Sequence, residues 1–200
     1  TLSLWHDTSD DDWAPRAPLG GDRDADVAVV GAGYTGLWTA YYLLRADPSL
    51  RVVVLEREVA GFGASGRNGG WCSALFPASL GWLARRYGRP AAIAQYRAMQ
   101  ATVDEVGAVA AREGIDCHWH KGGNIAVART PVQLGRAADE VAEARRWGFG
   151  QDDVTLLDAT EARARCGATS VLGATYTPHC AAIHPARLVR GLARTVERLG

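Results

Sequence analysis

Residues 27–43 read VAVVGAGYTGLWTAYYL, and they decide the fold. Asp26 to Val30 is a short, largely apolar run of the kind that forms a strand buried on both faces. Gly31-Ala32-Gly33-Tyr34-Thr35-Gly36 follows, and Leu37 to Ala46 then reads as a helix ended by Asp47 and Pro48. A GxGxxG string alone means little, but between a strand and a helix each glycine has a task. Gly31 permits the tight turn, Gly33 lets backbone approach a pyrophosphate at the positive helix end, and Gly36 lets helix and strand pack closely. Arg51 to Leu55 is a second strand, and Glu56 at its end is placed to accept the hydroxyls of a ribose.

Together these parts make a βαβ unit for a dinucleotide. The Glu56 carboxylate disfavours a 2′-phosphate, which leaves NAD or FAD. A few residues further on, GFGASGRNGG at 61–70 gives up half its side chains to glycine. Such density means a flexible linker or a backbone that lies against something large. An NAD domain would ordinarily proceed to another helix at this point.

Beyond residue 75 the character changes. Pro90 to Arg112 carries Ile93, Tyr96, Met99, Val103, Val106 and Val109 at helical spacing, which predicts one long amphipathic helix. Asp116–His120 and Asn124–Arg129 alternate around Lys121-Gly122-Gly123, the pattern of an antiparallel hairpin. Thr130-Pro131-Val132-Gln133 supplies an N-cap, a first-turn proline and a capping-box partner for a helix to about Trp147, and Asp158 to Glu161 repeats that logic. Val171 to Thr177 reads as a strand, and Pro185 opens a last helix to Leu199. The predicted fold class is α/β, a Rossmann-like dinucleotide-binding domain with an inserted mixed α+β substrate domain. The boundaries predicted are an arm over 1–25, the nucleotide domain over 26–75 and 179–200, and the start of the substrate domain over 76–178. The last helix lacks the strand it should lead into, so the chain reads as truncated.

Lysine plus arginine and aspartate plus glutamate balance at 22 each, so no basic field attracts nucleic acid. The uncharged run Val27 to Leu44 contains Gly31, Gly33 and Gly36 and reads as strand and turn, not a membrane span. Cys72, Cys117, Cys166 and Cys180 are widely spaced, which favours thiols and a cytoplasmic setting. Trp5 and Trp13 read as pins for the arm, and Asp10 to Asp12 as a solvated turn. His118 and His120 share a face of a predicted strand but lack further ligands, so no metal site is predicted. His179-Cys180 and His184 read as structural polar groups flanking a turn. Packing is the reading for Cys72, Trp38 and Trp71.

In VAVVGAGYTGLWTAYYL, VVVLERE and GFGASGRNGG the chain resembles the FAD-dependent oxidoreductases related to D-amino-acid oxidase and glycine oxidase. Within them it is most similar to the amine-oxidising branch that includes gamma-glutamylputrescine oxidoreductase. The resemblance extends to WHDT near the N-terminus and HPARLVRGLA at 184–193. It implies FAD as cofactor, with residues 63–70 running beside the diphosphate and the isoalloxazine. The cofactor-binding residues it implies are Gly31, Gly33, Tyr34, Thr35, Gly36, Glu56 and Arg57 in the βαβ unit. Gly63, Ala64, Ser65, Arg67, Asn68, Gly69 and Gly70 in the loop complete the set, with Ser65, Arg67 and Asn68 offering hydrogen bonds. The implied activity is oxidation of a small-molecule amine or amino acid to an imine by hydride transfer to flavin. Members of the family are about twice as long, which implies a missing C-terminal half as the partner of this one. An NAD-dependent dehydrogenase, or a non-enzymatic dinucleotide-binding or assembly module, remain the alternatives, and no residue is assigned a catalytic role.

Overall fold

Residues 3–200 are described by the structure, a computed structural model; the first two residues of the predicted arm lie outside them. The chain divides into two compact units. The first takes the chain up to Trp71, then Gly107–Trp119 and Ile183–Gly200; the second takes Cys72–Val106 and His120–Ala182. The sequence-drawn boundaries at 75/76 and 178/179 therefore move by a few residues, and residues 107–119, predicted to belong to the inserted domain, pack with the βαβ unit instead.

In the first unit, β1 (Val27–Val30) pairs in parallel with β2 (Val52–Leu55), Val27 opposite Val52 and Val30 opposite Leu55. Between them α2 (Tyr34–Ala46) follows α1, a single turn over Leu4–Asp7 in the arm. Pro48 forbids continuation of α2 in the α conformation at Asp47, whose N–H closes on the Leu43 carbonyl. Leu37, Ala40, Tyr41 and Leu44 lie at i, i+3, i+4 and i+7 and are buried. They share a core with Val189, Leu192, Ala193 and Val196 from the last helix, α7 (Pro185–Leu199). Each large side chain buried there contributes roughly 2 kcal/mol. The buried Tyr41 hydroxyl is satisfied by donating to Glu113 Oε1 at 2.8 Å.

In the second unit, β6 (Gly173–Thr177) is the centre of a three-stranded antiparallel sheet between β4 (Asn124–Ala128) and β5 (Thr155–Asp158). β3 (Trp71–Ser73) pairs separately with β7 (Cys180–Ala182). The helices are α3 (Leu80–Tyr87), α4 (Arg89–Arg112), α5 (Pro131–Trp147) and α6 (Ala159–Arg165), with α4 running through both units. Both predicted capping boxes form: the Thr130 and Asp158 side chains accept N3 amides while Gln133 and Glu161 reach back.

The predicted hairpin does not form. Asn124–Ala128 pairs with Gly173–Thr177, and residues 116–119 make no strand. His118 has φ of 55°, a left-handed conformation that breaks an extended run, and its amide lies 3.3 Å from Asp116 Oδ1. Only His120 keeps a bridge, to Ala182. The long-range partner wins because Val127 and Ile125 then join Leu157, Val171 and Ala174 in a core that a two-stranded hairpin could not supply. His179 and Cys180 also differ from expectation: Cys180 opens β7, and both buried ring nitrogens of His179 lack a hydrogen bond, Nε2 standing 3.5 Å from Asp153 Oδ1.

Candidate functional site

Three segments of the first unit meet at the end of β1. The Gly31 amide donates to the Leu55 carbonyl at 2.7 Å, and Gly31 takes φ of 99°, which turns the chain into α2. A Cβ on Gly36 would lie 2.1 Å from the Gly31 carbonyl oxygen, so this glycine is required by packing within the turn. A Cβ on Gly33 would meet only Ser65 Oγ, at 3.0 Å. Gly33 is the N-cap of α2 and offers no side chain to close the helix end. The Tyr34 amide donates to Ser65 Oγ at 2.9 Å, while the amides of Thr35 and Gly36 have no carbonyl one turn back to bond. They stand at the positive end of the helix beside an open hollow lined by Val30, Gly31, Gly33, Thr35, Gly36 and Ser65.

Glu56 closes the turn from the other strand. Its Oε2 accepts the Ala32 amide at 2.8 Å and its Oε1 the Glu58 amide at 3.0 Å, which fixes the carboxylate at the carboxyl end of β2. Arg57 turns away, largely exposed and bonded to Glu58 at 3.1 Å.

The 61–70 loop is ordered from within. A 3-10 turn spans Ala64–Gly66, and the Gly61 amide donates to the Ala32 carbonyl at 3.1 Å. Cβ atoms on Gly61, Gly66 and Gly70 would come within 2.4 Å of Val189 Cγ1, 2.1 Å of the Gly61 oxygen and 2.7 Å of the Ile183 oxygen respectively. Gly63 and Gly69 have open space where a Cβ would be. Asn68 is committed inside the loop, its Nδ2 donating to the Ala64 and Ser65 carbonyls and its Oδ1 accepting the Gly70 amide. Arg67 lies over the Phe62 ring, 5.0 Å from its centroid.

Trp5, expected only to pin the arm, also supports the loop. Trp5 Nε1 donates to the Asn68 carbonyl at 2.7 Å, and the indole edge lies where a Cβ on Gly70 would come within 3.3 Å. Asp10 and Asp12 are exposed, as a solvated turn requires, but Asp11 is not: it bonds Arg190 and Arg194, while Asp10 bonds Arg187 at 2.8 Å and the Asp12 carbonyl accepts from Arg190. The side chains of Arg190 and Asp11 are 4% and 10% exposed, so this pair is buried. Burial pushes the Asp11 carboxyl up, but the bonds from Arg194 and Arg190 outweigh it and hold it below its ordinary value. The signal was present as an acidic triplet facing arginines at 187, 190 and 194, spaced as one helix face. His184, the N-cap of α7, accepts the Arg187 amide on Nδ1, and its Nε2 lies 3.1 Å from Thr8 Oγ1. Burial, with Arg187 and His118 nearby, lowers its pKa and favours the neutral ring this arrangement needs.

Among the described residues no group of three His, Cys, Asp or Glu side chains could hold a metal ion.

The model of the DAO family, FAD dependent oxidoreductase, matches residues 26–200. Gamma-glutamylputrescine oxidoreductase of Escherichia coli is 33% identical over 202 residues, covering 99% of this chain and 45% of its own length. The chain thus spans about half the length of the curated relatives it matches. Among solved structures, L-amino acid deaminase from Proteus myxofaciens superposes with a TM-score of 0.73 at 17% identity, over 96% of this chain and 40% of its own. Glycine oxidase from Geobacillus kaustophilus gives 0.61 at 25% identity, over 88% of this chain and 45% of its own. The architecture of the first unit and the coverage of residues 26–200 agree, and the chain belongs to the DAO family of FAD-dependent oxidoreductases.

Proposed function

We propose that the polypeptide carrying this chain oxidises a small-molecule amine or amino acid to an imine, with FAD as its cofactor. The observation that carries this reading is the hollow over the N-terminus of α2, walled by Gly33 and Ser65, in a chain of this family. The residues fit the cofactor. The first-turn amides of Thr35 and Gly36, which have no carbonyl partner one turn back in the helix, suit a diphosphate at the helix end, and the bare Cα of Gly33 leaves room for it. Glu56, fixed by two backbone amides, suits a ribose diol. Gly63 and Gly69, with open space where a Cβ would be, suit close approach of the loop backbone to the flavin. The Ser65 hydroxyl, anchored by the Tyr34 amide, can still donate its proton. Tyr34 lines the same hollow, Ala64, Arg67 and Gly70 belong to the loop beside it that Asn68 orders, and Arg57 is bonded to Glu58.

Bound FAD supplies an acceptor for the hydride that leaves the amine-bearing carbon, and water hydrolyses the imine so formed. This chain's own work is to hold the cofactor and fix its orientation. The first unit is then the FAD-binding domain and the second the beginning of the substrate domain, completed by the further length that the relatives have. The relative acting on gamma-glutamylputrescine and those acting on amino acids favour a primary amine or amino acid as substrate class. Among the described residues no helix is long and apolar enough to cross a membrane, and with four scattered cysteines a cytoplasmic setting is proposed.

The test is the visible absorption spectrum of the purified protein, before and after FAD addition and desalting. A retained oxidised-flavin spectrum that bleaches anaerobically with amines or amino acids is expected. A folded, full-length protein that holds no FAD would overturn the reading.

A further inference from the structure

The arm and the glycine-rich loop form a closed circuit of contacts. From Trp5 the path runs to the Asn68 carbonyl, and from the Asn68 amide to the Ser65 carbonyl. Ser65 Oγ takes the first amide of α2, and the hydroxyl of that same residue, Tyr34, donates to the Pro185 carbonyl at the start of α7 at 3.0 Å. The arm returns to α7 through Asp11, buried between Arg190 and Arg194, and through Trp13, whose ring lies 5.1 Å from the Arg190 guanidinium carbon. Thr8 and the Trp5 ring also meet His184, the ring centroids 5.0 Å apart. Every member of the circuit belongs to the first unit.

A four-residue helix cannot hold itself in place, so the arm depends on the arginine face of α7. In turn, the loop backbone at Asn68 depends on the arm for the only side-chain donor its carbonyl has among the bonds described. We propose that Trp5 is a positioning residue for the cofactor: latched to α7 through Asp11, the arm holds residues 65–70 in the one conformation that keeps Ser65 on the α2 N-terminus and so retains FAD. This rests on the FAD reading above. Trp5 itself need not touch the cofactor.

Trp5→Phe keeps the ring and removes the donor, and it is compared in the intact protein with Leu4→Ala, a change on the same turn at a side chain 66% exposed. Two readouts decide. Amide hydrogen exchange of residues 65–70 is measured on FAD-stripped protein, and FAD release by recovery of flavin fluorescence on dilution. W5F is expected to speed both about fivefold, the worth of one net hydrogen bond, and to raise the global unfolding constant by no more than about that same factor. L4A leaves both as in the wild type. Should W5F fold poorly, Arg194→Gln, which weakens the latch without touching the loop, moves both readouts in the same direction by a smaller factor. Unchanged exchange in W5F overturns the role of Trp5, and faster exchange with unchanged FAD release overturns its connection to the cofactor. A wild type that binds no FAD instead brings down the cofactor reading, while the exchange measurement still decides whether Trp5 holds the loop.

Discussion

Adding one methyl group at Gly36 or at Gly33 separates what the turn needs in order to fold from what it needs in order to bind. On Gly36 the Cβ would lie 2.1 Å from the Gly31 oxygen and 3.0 Å from Val29 Cγ1, and the nearer of these is backbone of a residue whose amide is bonded to the Leu55 carbonyl. Reaching ordinary contact requires helix and turn to part by roughly 1 Å, at a cost of about 3 kcal/mol. Alanine returns about 1 kcal/mol through its helix propensity, so Gly36→Ala should destabilise by about 2 kcal/mol or more. On Gly33 the Cβ would press at 3.0 Å on Ser65 Oγ alone, and φ of −86° suits alanine, so the fold loses under about 1 kcal/mol. Yet that methyl enters the hollow proposed for the diphosphate, and on that reading FAD affinity should fall at least about tenfold. Urea unfolding of FAD-stripped protein, followed by tryptophan fluorescence, gives the first quantity, and FAD titration of each variant the second. If G36A unfolds at the wild-type midpoint, the packing argument fails. If G33A binds FAD as the wild type does, the hollow is not the diphosphate site.

Arg190→Met leaves Asp11 buried with only Arg194 for company and should cost about 3 kcal/mol in urea unfolding, far more than an exposed pair such as Arg16–Glu197 could. Because His184 is held below its ordinary pKa by burial, Arg187 and His118, and His6 by burial and Arg67, the unfolded chain binds more protons below about pH 6.5. Stability present above that pH should therefore decline as pH falls toward the folded values, and His184→Asn, which keeps an N-cap acceptor but does not titrate, should flatten the decline. In the second unit, Asp158→Ala removes the acceptor for the Thr160 and Glu161 amides and should cost about 1–2 kcal/mol, read as a lower urea midpoint.

What was legible in the sequence was local. The βαβ unit was legible because Val27–Val30, the GxGxxG turn, Pro48 and Val52–Leu55 each act within a few residues of themselves. The caps at Thr130 and Asp158 were legible for the same reason. The partner of Asn124–Ala128 was not, since an alternating strand carries no address, and the choice of Gly173–Thr177 over residues 116–120 is made by burial and by the left-handed turn at His118. The short strands β3, β5 and β7 carried too few residues to show a period. The docking of Asp11 on Arg190 joins residues 179 positions apart, and each partner alone has the composition of solvated surface.

The glycine-rich loop shows why density of a residue type is an ambiguous signal even when the family reading is right. Five glycines between 61 and 70 suggested a backbone freed to meet a ligand, but Gly61, Gly66 and Gly70 are required by Val189, by the loop's own carbonyl and by Ile183. Those three would be needed were nothing ever bound. Only Gly63 and Gly69 of the five present bare backbone to open space, Gly63 directly before the 3-10 turn whose Ser65 is tied to α2 and Gly69 three residues beyond it. On the proposed FAD reading the loop offers two such positions to a large planar ligand and cannot also cover them with its own side chains, and a loop so thinly clad has little packing with which to order itself. The internal glycines resolve this by letting it lie directly on Val189 and Ile183, Asn68 ties its backbone from within, and the arm's Trp5 holds the Asn68 carbonyl, so that order comes from α7, from the arm and from a single side chain of the loop.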